Sequence, residues 1–82
     1  MTDTRIAVLS IIVEDMEKTG ELNQEIHEYA DYIVGRMGIP YRQKNINIIS
    51  LVVDAPQTII SQLSGKIGRM DGVTAKVAYA KV

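Results

Sequence analysis

The sequence contains no cysteine, no tryptophan and no phenylalanine, and only two prolines and one histidine. Without cysteine there is no disulfide framework, no redox motif and no thiolate site for a metal or an iron–sulfur cluster, which fits a reducing compartment. A catalytic Cys-His pair is equally excluded. The lone His27 follows Ile26 on a helical stretch, where an isolated histidine is structural or solvated far more often than it is a base. No apolar run approaches the roughly 20 residues of a membrane span, and Met1 to Arg5 lacks a basic segment leading into an apolar one. The expectation is a cytoplasmic protein that does not contact a membrane, has no catalytic residues, and binds neither metal nor cofactor.

Eighty-two residues are expected to form one domain, residues 1–82. A chain this short buries only about 60 to 65% of the surface it exposes when unfolded, so its own core is small. The net charge of -1 hides an asymmetry: the acids gather before Gly35 and the bases after it. An acidic helix face and basic strand ends that are solvated, or paired within an oligomer, account for this. A pI of about 5.7 argues against nucleic-acid binding, as does the composition of the apolar strands. RNA-binding sheets stack bases on aromatic side chains of their central strands. Here the tyrosines, Tyr29, Tyr32, Tyr41 and Tyr79, lie elsewhere.

Arg5 to Glu14 is rich in Ile, Val and Leu, and both alternating sets, Ile6, Val8, Ser10, Ile12 and Ala7, Leu9, Ile11, Val13, are largely apolar. Ile46 to Asp54 has the same character. Such strands sit in the middle of a sheet covered on both sides. Between them, Leu22, Ile26, Tyr29, Ile33 and Met37 recur at helical spacing and predict a helix from about Glu14 to Val34, ended by Gly35 and Gly38. Ile39 to Gln43 predicts a short edge strand, because Pro40 cannot donate to a ladder. Asp54-Ala55-Pro56 predicts a capped second helix with Ile60, Leu63, Ile67 and Met70 on its buried face. After an Asp71-Gly72 turn, Val73 to Val82 alternates as a one-sided strand near an edge.

The order β-α-β-β-α-β predicts an α+β ferredoxin-like sandwich with sheet order 4-1-3-2 and both helices on one face. One alternate set from each central strand then faces away from the helices. A contiguous apolar patch of that kind marks an interaction surface. A homo-oligomer, dimer or tetramer, is therefore expected, built by sheet-face packing or by edge-strand extension.

Little chemistry is legible in single motifs. Ser64-Gly65-Lys66 lacks the upstream glycine of a phosphate loop, and Ile67 stands where that loop needs Ser or Thr. Gly65 and Gly68 each cost about 1 kcal/mol relative to alanine inside a helix, so a close approach by sheet, neighbouring helix, second subunit or small ligand is expected there. The stripe Glu17, Glu21, Glu25, Glu28 reads as a solvated helix face.

Val13-Glu14-Asp15, Gly38-Ile39-Pro40-Tyr41-Arg42, and above all Leu63-Ser64-Gly65-Lys66-Ile67-Gly68 with Gly72-Val73-Thr74-Ala75-Lys76 resemble the bacterial iron-only hydrogenase system regulators. The resemblance spans residues 5 to 81. It implies an ACT-like domain, similar also to the C-terminal domain of nickel-responsive repressors, that oligomerises and senses a small molecule. The histidines and cysteine of the repressor nickel site have no counterparts here. By loose similarity to effector sites after the first strand, the implied ligand-binding residues are Asp15, Gly20, Gly65, Lys66 and Gly68. A ligand-free accessory subunit that docks a maturation or transcription protein is the alternative, with any nucleic-acid contact left to that partner.

Overall fold

The computed structural model describes residues 3–81. It consists of β1 Arg5–Val13, α1 Thr19–Glu28, β2 Ile33–Tyr41, β3 Ile46–Ala55, α2 Gln57–Gly68 and β4 Val73–Tyr79, with single 3-10 turns at Met16–Lys18, Ala30–Tyr32 and Arg42–Lys44. The strands form one antiparallel sheet in the order β2-β3-β1-β4. This is the ferredoxin-like arrangement expected from the sequence, with the two doubly apolar strands at its centre.

Register decides which half of each central strand is dry. Ala7, Leu9, Ile11 and Val13 of β1 and Ile49, Leu51, Val53 and Ala55 of β3 point at the helices and are buried. Leu22, Ile26 and Tyr29 come down from α1, and Ile60, Leu63 and Ile67 from α2, to close one core. Each fully buried Leu or Ile contributes about 1.5–3 kcal/mol relative to an exposed one. The opposite set is open: Ile6, Ile12, Met37, Ile39 and Ile48 are between 39% and 62% exposed.

The first helix is shorter than its apolar pattern predicts. It ends at Glu28, and Ile33, Val34, Gly35 and Met37 belong to β2. Ile33 and Met37 satisfy helical spacing, yet Gly35, Met37, Ile39 and Tyr41 also alternate with period two. The β-branched pair Ile33-Val34 and the glycines Gly35 and Gly38 are poor helix formers, and pairing with β3 settles the choice. Gly35 and Gly38 are thus strand residues rather than helix stops. A bulge between Ile33 and Gly35 breaks the ladder, leaving Val34 as the extra residue. The helices do not reach over β2: Arg36, Gly38 and Pro40, on its helix side, are exposed, and Arg36 Nη2 donates to Asn23 Oδ1 of α1 at 2.6 Å.

The second helix also starts differently. Asp54 remains in β3, and Pro56 is the N-cap, without a side-chain hydrogen bond. The anchor at this end is instead a polar chain in which Arg5 Nη1 donates to Gln57 Oε1 at 2.7 Å and Gln57 Nε2 donates to the Tyr79 hydroxyl at 2.6 Å. The Arg5 guanidinium also stacks 4.2 Å from the Tyr79 ring centroid. The strand expected to run to Val82 stops at Tyr79; Val82 lies outside the described residues.

Candidate functional site

The helices pack so that the start of α1 meets the end of α2, and an open groove of about 360 Å³ lies between them, lined by Lys18, Glu21, Glu25, Lys66, Arg69, Met70 and Asp71. Three cations face three carboxylates. Lys18 Nζ lies 3.8 Å from Glu21 Oε2, and Lys66 Nζ lies 3.9 Å from Glu25 Oε2. Both are long, loose pairs, of the kind that contributes little to stability. Glu25 Oε2 is shielded from solvent and has no hydrogen-bond partner among the described residues. The Lys66 ammonium, 3.9 Å away, is the charge that faces this shielded oxygen in place of a hydrogen bond.

Lys66 is the best-held cation. Its ammonium sits 5.2 Å from the centroid of the buried Tyr29 ring, a cation–π distance. Hydrogen bonding to Tyr29, followed by the charge that Tyr29 carries when ionised, raises the Lys66 pKa above 10.5; Glu25 and Glu28 add to this, and burial opposes it. Lys66 therefore stays charged throughout the physiological range. It places a positive charge beside the Glu25 carboxylate.

Of the residues singled out in sequence, Lys66 lines the groove and the others only border it. Asp15 is engaged in the fold: its carboxylate caps the 3-10 turn by accepting from the Glu17 amide at 3.0 Å. Its backbone amide and that of Glu14 both donate to Gly72 O, at 3.2 and 2.7 Å. Gly20 lies in the first turn of α1, and a Cβ there would meet nothing within 4 Å. A Cβ on Gly65 would meet only the Arg69 guanidinium, at 3.5 Å, and one on Gly68 would meet nothing within 4 Å.

The close approach expected at Gly65 and Gly68 is thus not made by the sheet or by α1. Both glycines look outward from α2, and any neighbour that needs them is outside this chain. Gly68→Ala is accordingly expected to stabilise the isolated fold by about 0.5–1 kcal/mol, raising Tm by about 2–8 °C. Differential scanning calorimetry checks this, and a lowered Tm would show an unrecognised contact at that position.

The sequence reads Glu21 and Glu25 as part of a solvated face and Asp71 as part of a turn, and it does not single out Lys18 or Arg69 as site residues. The available signal was charge order: an acidic α1 and a basic end of α2 must meet once two helices pack antiparallel on one sheet. His27 lies in a second, shallower cleft with Asn23, Ile26, Ala30, Ile33 and Arg36, away from the groove.

Sheet order and helix placement put the chain in the ferredoxin-like class, with a charged groove between α1 and α2. The chain belongs to the TM1266-like family, described as "Iron-only hydrogenase system regulator, putative", whose profile matches residues 5–77. Among solved structures, the uncharacterized protein TM1266 from Thermotoga maritima is 38% identical, with a TM-score of 0.92 over 96% of this chain and 100% of that one. No curated protein matches the chain.

Proposed function

We propose that this chain is a non-enzymatic, homo-oligomeric regulatory domain of an iron-only hydrogenase system, acting in the cytoplasm, whose effector is a small polar molecule held in the α1–α2 groove. One observation carries the choice of site: the Lys66 ammonium and Glu25 Oε2 line one groove and meet only through a long 3.9 Å contact, with no hydrogen bond to the oxygen. A molecule bearing both an anionic group and a hydrogen-bond donor would replace their long mutual contact with two direct bonds, and charge-assisted bonds are the stronger kind. Amino acids and nucleotides meet that description. The family description supports the regulatory role.

The test is a thermal-shift series with amino acids and nucleotides. A ligand at one hundred times its Kd stabilises the native state by about 2.7 kcal/mol. Wild type is expected to shift with at least one compound, and Lys66→Ala is expected to lose that shift. If no compound moves wild type, or if Lys66→Ala responds equally, the groove is not the effector site.

A second reading is an accessory subunit that docks a different protein. The exposed Met37, Ile39, Ile12 and Ile48 favour it. It expects a monomer in isolation, so light scattering separates it from the first.

A further inference from the structure

We infer that a second copy of this chain covers the open sheet face, with the Ser10 and Ser50 hydroxyls of one copy lying on the same serine row of the other. The inference rests on the oligomeric reading above and adds to it a surface and a register.

The open face is laid out by strand pairing. Across it run three rows: Ile39, Ile48, Ile12, Thr74; then Met37, Ser50, Ser10, Lys76; then Gly35, Val52, Val8, Ala78. The middle row alone is polar at its centre. No side chain among the described residues engages either serine hydroxyl.

Charge selects a second copy as the occupant. The face carries Lys76 at one edge and Asp54 near one end, whereas the exposed helix side carries Glu17, Glu21 and Glu28. Two sheet faces can meet with no charge at their centres; two helix faces would have to desolvate these acids together with Lys18, Lys66 and Arg69. The edges are poorer places for a neighbour. A bulge and Pro40 interrupt β2, and β4 is only seven residues long with Lys76 at its middle, all devices that discourage strand addition.

The extent is sufficient. Four strands spaced about 4.8 Å apart and nine residues long outline about 550 Å² per copy. A pair therefore buries about 1,100 Å² or more, which reaches the roughly 1,000 Å² expected of a specific interface.

The serine row sets the register because a hydroxyl is both donor and acceptor, and facing serines in sheets about 10 Å apart leave room for a water that bonds both. A two-fold axis parallel to the strands keeps every residue at its height, so the serine rows coincide wherever that axis runs. An axis across the strands brings them together when it runs along this row. Sliding one sheet by a single row, about 6.8 Å, would press the hydroxyls onto Ile12 and Ile48 or onto Val8 and Val52, burying them without partners. Lys76 at the rim can lay its stem on the interface and keep its ammonium in water.

The absence of native cysteine makes a single introduced thiol an unambiguous probe. Wild type is expected to scatter light as a dimer or larger species at about 100 µM. In that state the V8C thiol, on the open face but outside the serine row, is expected to alkylate at least tenfold more slowly than a Q62C thiol on the exposed face of α2, and to catch up on dilution. Ser10→Val is expected to weaken association at least tenfold, while the isosteric Ser10→Thr, which keeps the hydroxyl, stays near wild type. A monomer at 100 µM overturns both this inference and the oligomeric reading. An oligomer whose V8C and Q62C thiols react alike overturns the inference and leaves that reading standing. Equal association of the Val and Thr variants overturns the serine register.

Discussion

Gly72→Ala is expected to cost about 2–4 kcal/mol, lowering Tm by about 10–25 °C in a domain of this size. Gly72 has φ +75, in the left-handed region where a β-carbon crowds the following carbonyl. The space is also occupied: a Cβ built there would lie 2.5 Å from Asp15 Cβ and 3.2 Å from its backbone nitrogen. Asp15 cannot swing away cheaply. Its amide and that of Glu14 both donate to Gly72 O, and its carboxylate caps the turn leading into α1. One methyl group would therefore push apart the end of β1, the entry to α1 and the turn into β4. Gly38→Ala is the control, since a Cβ there meets nothing within 4 Å. Urea denaturation measures both, and a Gly72→Ala variant as stable as Gly38→Ala would show that the junction yields.

Leu51→Ala is expected to cost more, about 3–5 kcal/mol. Leu51 is fully buried at the centre of β3, opposite Leu9 of β1, which is equally buried. Both strands are held in ladders on each side, so neither backbone can move in to fill the void. An 82-residue domain has a total stability of about 4–12 kcal/mol. This truncation therefore removes about a quarter or more of it, and in the lower part of that range it leaves a substantial unfolded fraction at 37 °C. A midpoint shift in urea at unchanged slope is the expected signature. A loss below about 1 kcal/mol would mean that the core repacks around the cavity.

The double apolarity of Arg5–Val13 and Ile46–Ala55 was enough to place β1 and β3 at the sheet centre, although within one chain only the helix-facing set of each is buried and Ile6, Ile12 and Ile48 of the other set lie open. The Asp71-Gly72 turn was equally legible, since one residue type satisfies a positive φ at little cost. The end of α1 was not. Ile33 and Met37 fit two periods at once, and the decision between them came from β3, which pairs with Ile33, Gly35 and Met37 from residues far along the chain. Asp54 was misread for a similar reason: the ladder opposite Ile6 holds it in β3, where it cannot cap α2. In the groove, Lys66 was recognisable as one half of a site. Glu25 was not, because its role depends on two helices meeting, and a stripe of acids on a single helix looks the same whether solvent or lysine faces it.

The register of the two central strands bears on how the chain is made. Val13 pairs with Asn47, and Arg5 pairs with Ala55, so β1 waits for some 34 to 50 further residues before its neighbour exists. At about 5–20 residues per second of synthesis, that is a delay of about 2–10 seconds. During it, a nine-residue strand apolar on both sides has left the ribosome with nothing to pair with. Neither α1 nor β2 can shelter it meanwhile, since α1 rests on the β1–β3 core and β2 bonds to β3 alone. The sheet can therefore close only when β4, which ends at Tyr79, has been made.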